Sequence, residues 1–174
     1  MKRRSCSLCP LATQSHGPCW GDGDPTAPVI LIGEAPGVDE DRGGRPFIGK
    51  AGKELDSYLM RAGLNRRDCY LTNMVKCRPP DNRDPKPDEL ALCSIHLMEE
   101  MAQFAPDAVI GTIGRFSTHY FLGSADMDMV HGIPQKNEKW QVVPIYHPAF
   151  GLRNTTQMTH IANDVKMLAD VANG

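Results

Sequence analysis

A glycine-rich stretch of this sequence carries four carboxylates within eight residues. It follows an apolar run, residues 29–32, that predicts a short strand buried on both faces. Acidic groups and glycines directly after a central strand are what a ligand crevice in an open α/β sheet requires. An aromatic residue, Phe47, closes the stretch before a helix is predicted to begin near Gly49. The stretch therefore predicts a site, whose carboxylates are Glu34, Asp39, Glu40 and Asp41.

Two more polar side chains stand where predicted strands end. Asn73 ends the run CYLTN, and His147 follows the run QVVPIY. Because the carboxyl ends of parallel strands meet at one edge of a sheet, we expect Glu34, Asn73 and His147 to converge. A carboxylate, an amide and an imidazole together could recognise a polar ligand and hold a proton near it. This convergence predicts a site from the residues alone.

Six cysteines indicate a metal site. Cys6 and Cys9 form a CxxC motif, and Cys77 and Cys93 follow far along the chain. The basic N-terminus lacks the apolar stretch of a signal peptide, so we expect a reducing cytoplasm, where disulfides are rare. Four cysteines suit zinc and a [4Fe–4S] cluster alike, and the residues themselves leave that choice open, with buried free thiols as the alternative. Either metal would staple the N-terminal segment onto the domain.

Length and composition bound the fold and its partners. The 174 residues, 41% hydrophobic and 23% charged, are about one domain's length, and we expect a single monomeric domain over residues 1–174. No apolar run approaches the roughly 18 residues that a membrane span needs, so no membrane partner is expected. The net charge of −2 does not indicate a nucleic-acid binder, although a local basic face would suffice. The proline-rich stretch 76–86 offers such a face, with Lys76, Arg78, Arg83 and Lys86.

The elements that must position these groups alternate between strand and helix. We predict strands at 29–32, 69–73, 108–112 and 141–146, and helices near 50–63, 88–104, 114–122 and the C-terminus. This order predicts an α/β fold, a three-layer α/β/α sandwich with a central four-stranded, mainly parallel sheet. Residues 33–49 and 150–157 are expected as loops, and 124–139 as a loop or an extra strand. We expect Cys69 in the core and His96 at the surface, and we place His131 outside the site.

Three motifs and the four cysteines resemble one known family. GEAPGVDEDRGGRPFIGKAG, NMVKCRPPDNRDP and HPA are similar to the signatures of family 4 uracil-DNA glycosylases, the iron–sulfur branch of their superfamily. The matches run in order from Cys6 to about Arg153 and cover most of the chain. The resemblance implies a DNA repair enzyme that hydrolyses the N-glycosidic bond of uracil in single- or double-stranded DNA and leaves an abasic site. It also implies a [4Fe–4S] cluster on the four cysteines.

The resemblance implies roles for individual residues around a flipped uracil. Phe47 would stack on the base, and the Asn73 amide would pair with uracil O4 and N3–H together, which rejects cytosine. His147 would donate to uracil O2 as negative charge grows on the leaving base. The glycine-rich loop would supply further substrate contacts, from Gly33, Ala35, Pro36 and Gly37. Glu34, Glu40 and Asp41 are the candidate catalytic carboxylates; of the two glutamates we favour Glu40 as a base, because Glu34 could instead tie down the loop.

One position departs from the wider superfamily. The best-known branch has an aspartate that activates water where this chain has Ala35, and family 4 lacks that aspartate as well. Leaving-group stabilisation is then expected to carry most of the rate. The covalently DNA-linking relatives have a histidine-bearing insertion between the positions of Asn73 and Cys77, which this chain lacks, so no covalent adduct is expected.

We expect the DNA contacts to come from basic side chains and from the segment after His147. The basic candidates are Arg78, Arg83 and Arg153. Ala149 would offer its backbone amide, and either Phe150 or Leu152 would be a wedge into the gap left by the flipped base. Two rival functions remain at this stage. A metal-stapled binding module without catalysis gives no reason for the polar residues to converge. A magnesium-dependent hydrolase needs carboxylates from separate strands, whereas these lie on one loop.

Overall fold

A five-stranded sheet forms the centre of the computed structural model, which describes residues 5–123, 126–152 and 154–174. In chain order the strands are β1 (Val29–Gly33), β2 (Cys69–Asn73), β3 (Val109–Ile113), β4 (Gln135–Lys136) and β5 (Gln141–Ile145). Their spatial order is β2-β1-β3-β5-β4, with every pair parallel except β4 and β5. The four predicted strands are confirmed to within one residue at each end. The prediction of a four-stranded sheet missed one strand, the two-residue β4, which pairs antiparallel with β5.

Eight helices surround the sheet in the described residues. They are α1 (Leu11–Gln14), α2 (Val38–Gly43), α3 (Lys50–Arg61), α4 (Pro87–Met101), α5 (Arg115–Leu122), α6 (Met127–Val130), α7 (Pro148–Gly151) and α8 (Thr155–Asn173). Side chains of α3 and α8 pack on one face of the sheet, and those of α4 and α5 pack on the other. The α/β/α sandwich is thereby confirmed. Within the same residues, no helix combines the length and the apolar character that a membrane crossing requires.

Alternate residues of β1 explain how one short strand serves both layers. Val29 and Leu31 pack among the side chains on the α3 and α8 face, while Ile30 and Ile32 pack on the opposite face. A central parallel strand is covered on both sides, so its sequence is a continuous β-branched and aliphatic run. The strand ends at Gly33, where the chain enters the cleft described below.

Two segments predicted as loops contain helices. Residues 33–49 include α2, which a capping box starts: the Glu40 side chain accepts from the Gly37 backbone N–H at 3.1 Å. Three acidic residues in its first turn also suit the positive end of a helix. Residues 150–157 include the end of α7 and the start of α8, where the Asn154 side chain caps the Thr156 N–H. The glycines and prolines in both segments mark the ends of these helices, not their absence.

The N-terminal segment covers α4 and overturns one surface prediction. His96 is 8% exposed, because the Trp20 ring packs edge-on against it at 4.9 Å between ring centroids. The backbone of the same segment pairs with the body of the domain: Cys19 N–H donates to Lys76 O at 2.6 Å, and Asp22 bridges to Leu71 in β2. The periodicity of α4 alone cannot reveal this contact, since the covering residues lie more than seventy positions away.

Lys76 is also buried, although its proline-rich surroundings predict an exposed basic residue. Its side chain is 1% exposed and its Nζ lies 2.7 Å from the Glu100 carboxylate. Nζ also donates to Thr72 Oγ1 at 2.7 Å and to the Asn73 backbone carbonyl at 2.8 Å. These three acceptors satisfy the ammonium group, which is the condition for burying a charge. The pair joins the end of β2 to α4.

Candidate active site

The carboxyl ends of β1, β2 and β5 open into a cleft of about 960 Å³. Glu34, Asn73 and His147 line it, one following each strand. The structure therefore brings together the three polar residues that were expected to meet at this edge. Four of the residues expected to contact substrate also line the cleft: Ala35, Pro36, Gly37 and Phe47.

Gly33 lies beneath the point where the Asn73 and Phe47 side chains meet. It pairs in register with Asn73 across β1 and β2. A Cβ atom built on Gly33 would stand 2.5 Å from Asn73 Oδ1 and 2.5 Å from Phe47 Cζ. No side chain fits there unless the amide or the ring moves. Glycine at this position thus lets an amide edge and an aromatic face line the same pocket.

The Asn73 amide is held ready for a ligand. Its side chain is 3% exposed and lines the cleft. It has no hydrogen-bond partner within the residues that the structure describes. The amide atoms are not among the sealed-off unpaired atoms of the described residues, so they face the open space of the cleft and can pair with a ligand there. A ligand with a complementary donor and acceptor would supply that partner.

We expect Gly33→Ala to abolish most activity of the cleft while leaving the fold intact. The new methyl group displaces the Asn73 amide or the Phe47 ring, so a bound base loses either its pairing partner or its stacking partner. A loss of about 100-fold in single-turnover rate is expected from the stacking or pairing energy removed. The control is Gly63→Ala, outside the cleft lining, where the added Cβ meets no atom within 4 Å; its φ of +81° predicts some loss of stability but no loss of rate. Equal rates for Gly33→Ala and wild type would contradict this account of Gly33.

Glu34 joins the end of β1 to the start of α5. Its carboxylate lies close to the backbone N–H groups of Phe116 and Arg115 at the start of α5. Gly114 between the strand and the helix has a φ of +90°, and a Cβ there would lie 2.4 Å from Glu34 Oε1. Burial raises the pKa of the Glu34 carboxyl above its usual value, and the nearby N–H groups and the charge on Arg115 oppose that rise. Glu34 therefore lines the cleft beside the start of α5.

Glu40 organises the loop that carries Phe47. One carboxylate oxygen accepts from the Ile48 and Gly49 backbone N–H groups at 2.9 and 2.7 Å, and the other caps α2 at Gly37. The preference for Glu40 over Glu34 as a base assumed that only Glu34 is tied to the backbone. In the structure it is Glu40 that accepts from three backbone N–H groups, so that argument does not favour Glu40.

Asp41 lies outside the residues that line the cleft. Its carboxylate is 5% exposed and accepts from the His16 backbone N–H at 2.8 Å, and its second oxygen lies 2.6 Å from His16 Nδ1. The α2 helix explains the difference between neighbours, because successive helical residues point about 100° apart. Glu40 consequently faces the cleft, while Asp41 faces the N-terminal segment.

His147 presents a neutral ring to the cleft. Its Nδ1 accepts from the Ala149 backbone N–H at 3.2 Å, which assigns the proton of the neutral ring to Nε2. The ring is half-buried by surface area, but the surrounding protein desolvates it enough to lower the pKa of His147 to about 4, and the charge on Glu40 opposes that shift. His147 can therefore donate one hydrogen bond from Nε2 at neutral pH.

Only some of the residues expected to contact DNA line the cleft. Ala149 and Phe150 stand on α7 at the mouth of the cleft, and Phe150 is 61% exposed. Arg83 also lines the cleft, with two guanidinium nitrogens on the Glu89 carboxylate at 2.6 and 2.8 Å. Arg78 lies outside the lining and donates to Asn82 Oδ1 at 2.7 Å. Arg153 lies outside the described residues.

Sequence reasoning missed several residues that line the cleft. They include Lys50, Asp84, Arg115, Asp126, Asp128 and Tyr146, whereas Asp39, expected among the carboxylates of the site, does line the cleft. Arg115 follows the end of β3 and forms an ion pair with Asp84. The argument that found Asn73 and His147 applies equally to β3 and would have found Arg115. Asp126 and Asp128 precede the short β4, in a segment without a clear periodic pattern.

The four cysteines of the predicted metal site line a second, much smaller cavity. Cys6 and Cys9 come from the N-terminal segment, Cys77 from the chain after β2, and Cys93 from α4. Among the described residues, no three cysteine, histidine or acidic side chains are close enough together to hold one metal ion. All four thiols nevertheless line the same cavity, and a set of four cysteines is chemically suited to hold an iron–sulfur cluster.

Polar contacts around that cavity come from the same elements. The Lys76 backbone N–H donates to Cys93 Sγ at 3.3 Å, and His96 Nε2 lies 3.3 Å from Cys6 Sγ. Burial raises the pKa of the Cys77 thiol to about 11. A buried thiol of this kind stays protonated unless a cation is near. It would lose its proton and become a metal ligand only when a positively charged metal group binds.

Comparison with known proteins agrees with this geometry. The family model of the uracil DNA glycosylase superfamily matches residues 20–170. A type-4 uracil-DNA glycosylase of Archaeoglobus fulgidus is 35% identical over 176 residues, 96% of this chain and 88% of that protein. One from Saccharolobus solfataricus is 40% identical over 161 residues, 87% of this chain and 74% of its own length. A type-5 uracil-DNA glycosylase of Pyrobaculum aerophilum is 32% identical over 171 residues, 88% and 72% of the two chains.

The sheet order and the cleft define an α/β fold with a cleft lined by an amide, an aromatic ring and an imidazole. The chain belongs to the uracil DNA glycosylase superfamily. The predictions of fold, family and enzyme class are confirmed by these matches. The roles of individual residues remain predictions.

Proposed function

We propose that this protein removes uracil from DNA by hydrolysing the N-glycosidic bond, leaving an abasic site. The observation that carries the proposal is the pocket over Gly33, where the Asn73 amide, the Phe47 ring and the cleft-facing His147 surround one space. Uracil presents an acceptor next to a donor, which a single carboxamide can pair with in one orientation. Cytosine presents the opposite order and would leave the amide mismatched.

Leaving-group stabilisation supplies most of the rate in this proposal. As the bond to the sugar breaks, negative charge moves onto the base and reaches O2. The neutral His147 ring donates Nε2–H to that oxygen, and its position is fixed beforehand by the Ala149 N–H on Nδ1. A donor that is already oriented in a partly desolvated cleft is worth much more than the same donor in water.

The carboxylates of the cleft have two roles in this mechanism. Glu40 holds the loop that carries Phe47, and its charge lies on the cleft side with His147. Glu34 stands at the end of β1 beside the backbone N–H groups of α5. Either carboxylate can offset the positive charge that develops on the sugar, and a water between them would be oriented for attack. Asp41 is left out of this mechanism because its carboxylate bonds to His16.

The low pKa of His147 predicts how rate and stability depend on pH. Because the ring stays neutral until the pH approaches 4, we expect no change in single-turnover rate from a His147 titration between pH 8 and 5. In the unfolded chain the histidine binds a proton near its ordinary pKa of 6.5, so the unfolded state gains protons first. The free energy of unfolding should fall by up to about 3 kcal/mol as the pH drops from 6.5 to 4.

Denaturant unfolding of wild type and His147→Asn across this pH range tests the prediction. The variant should lose less stability on acidification than wild type does. A wild-type rate inflection near pH 6.5 that disappears in His147→Asn would show instead that the ring titrates normally.

We further propose a [4Fe–4S] cluster on Cys6, Cys9, Cys77 and Cys93. The four thiols line one cavity that joins the N-terminal segment, the chain after β2 and α4, so a cluster would tie these three together.

Purification without oxygen should give about four irons per chain. Cys93→Ser should lose iron and lower the unfolding midpoint. Cys19→Ser is the matched control, because that buried thiol donates to the Glu40 carbonyl at 3.0 Å and serine can do the same. Full iron in both variants would overturn the assignment.

We place the DNA along the mouth of the cleft. Phe150 is the proposed wedge, since a large exposed apolar side chain there can fill the gap that a flipped base leaves. Arg83 lines the same opening, whereas the Ala149 N–H, expected to contact DNA, already donates to His147 Nδ1. We also propose that the protein is a monomer and that it works in a reducing cytoplasm, where four thiols stay free of disulfides and can bind a metal.

Anaerobic incubation with a single-uracil oligonucleotide in EDTA tests the function. Free uracil and strand cleavage only after alkali are expected, on single- or double-stranded substrate, with an oligonucleotide carrying thymine in place of uracil as the control. Binding to DNA without uracil release, by protein carrying its full iron, would overturn the proposal in favour of a metal-stapled binding module.

A further inference from the structure

We propose that Arg66 is a positioning residue for the base-stacking ring of Phe47. This inference rests on the proposed function and concerns how the pocket is held in shape. Arg66 lies in the short turn before β2, outside the cleft and outside every motif that the sequence singled out. Its side chain is 20% exposed and reaches the loop that carries Phe47.

Phe47 needs such support because its backbone is in an unfavourable conformation. Its φ is +53°, the left-handed region that aromatic residues seldom adopt. Residues in such conformations persist only where the surrounding structure holds them, and they concentrate at functional sites. The turn directs the ring back over Gly33, so the ring would leave the pocket if the turn relaxed.

Arg66 holds the carbonyl side of this turn. One guanidinium nitrogen donates to the Phe47 carbonyl at 2.8 Å and to Asp56 Oδ1 at 2.9 Å. The other donates to the Pro46 carbonyl at 2.9 Å. Both residues that supply the carbonyls are buried, so without the guanidinium these oxygens would lack a donor. The planar fork of arginine suits two neighbouring carbonyls, whereas lysine offers a single point of contact.

The other contacts of this turn do not supply a hydrogen-bond donor to its carbonyl oxygens. Glu40 accepts from the N–H groups that follow Phe47, at Ile48 and Gly49. On α3, Gly52 lies against the turn so closely that a Cβ there would be 2.0 Å from the Phe47 carbonyl oxygen. Glu40 therefore holds the N–H groups that follow Phe47, and Arg66 holds the carbonyl oxygens of Pro46 and Phe47. Gly52 leaves room for the Phe47 carbonyl against α3.

The position of Arg66 along the chain gives it a further role. The rigid strand β2 begins three residues after it and ends at Asn73. Arg66 consequently links the stacking ring to the same strand that carries the pairing amide. This link fixes the distance between the two surfaces that must grip the base.

A double-mutant cycle between Arg66 and Phe47 tests the inference. We expect Arg66→Met to lower the single-turnover rate of uracil release about 10- to 100-fold, the range that loss of one base-stacking contact gives. Phe47→Ala should have a similar effect, and the double variant should be no slower than Phe47→Ala alone, since Arg66 acts through the ring. Arg66→Lys should recover part of the rate. Arg67→Met, one residue along on the exposed side of the same turn, should match wild type.

The outcomes separate this inference from the proposed function. Multiplicative losses in the double variant, or a wild-type rate for Arg66→Met, would overturn the positioning role. If Arg66→Met fails to fold, the same cycle with Arg66→Lys gives the answer, with iron content and unfolding midpoint measured for each variant. A wild-type protein that releases no uracil would instead refute the proposed function itself.

Discussion

Replacing Asn73 with alanine should lower uracil release about 100- to 1,000-fold, the loss typical of removing one pre-oriented donor from an active site. The amide lines the cleft, is nearly buried and has no partner among the described residues, so a ligand is what completes its hydrogen bonds. Alanine removes both the donor and the acceptor. It leaves the backbone of β2, and the Lys76 bond to the Asn73 carbonyl, in place.

The measurement is the single-turnover rate on a uracil-containing oligonucleotide, alongside the unfolding midpoint. Asn163→Ala, on the exposed side of α8, is the matched control for an asparagine-to-alanine change. We expect Asn73→Ala to unfold at nearly the wild-type midpoint. Uracil release at the wild-type rate would remove Asn73 from the recognition site and with it the main support for the proposed pairing.

Lys76→Met should lower the free energy of unfolding by about 3–5 kcal/mol, because it leaves a buried carboxylate without its cation. Glu100 is 8% exposed, and its oxygens also accept from the Gly21 N–H at 3.2 Å and the Thr72 hydroxyl at 2.7 Å. Those neutral donors cannot balance the charge that the ammonium balances now. The loss therefore comes from the unpaired Glu100, not from the missing lysine stem.

A second substitution checks that explanation. In Lys76→Met/Glu100→Gln the buried charge is gone, so this double variant should be more stable than Lys76→Met alone. The control is Lys166→Met, which breaks an exposed ion pair with Asp170 at 2.7 Å and should change stability by less than about 1 kcal/mol. Chemical denaturation at equal iron content gives the four values. A Lys76→Met loss no larger than that of Lys166→Met would show that the buried pair contributes little.

The core elements could be predicted because their signals are local. Each of the main strands is a short apolar run, and each ends within one residue of its predicted boundary. The polar residues at the ends of β1, β2 and β5 were placed at one edge by the geometry of parallel sheets. The three motifs and the four cysteines are also sequence features, and they resemble the family independently of the fold.

The contacts that shape the pocket depend on residues distant in the chain. Arg66 reaches the Phe47 turn from nineteen positions away, and no local pattern marks it as different from Arg67. Lys76 looked like an exposed base among prolines, yet it is buried because α4 brings Glu100 to it. His96 was expected at the surface and is covered by Trp20. A polar side chain can be buried only where another residue covers or pairs with it, and the fold determines which residue that is.

Sequence alone determined the layers, the strand ends and the chemical types that gather there, since periodicity and strand polarity are properties of short segments. Only the tertiary structure decided which of those groups face the cleft. It turned Glu40 inward and Asp41 outward on one helix, tied the Phe47 loop down through Glu40, and set Gly33 beneath the amide and the ring. Those outcomes depend on how elements distant in the chain pack against one another, which residue type alone does not fix.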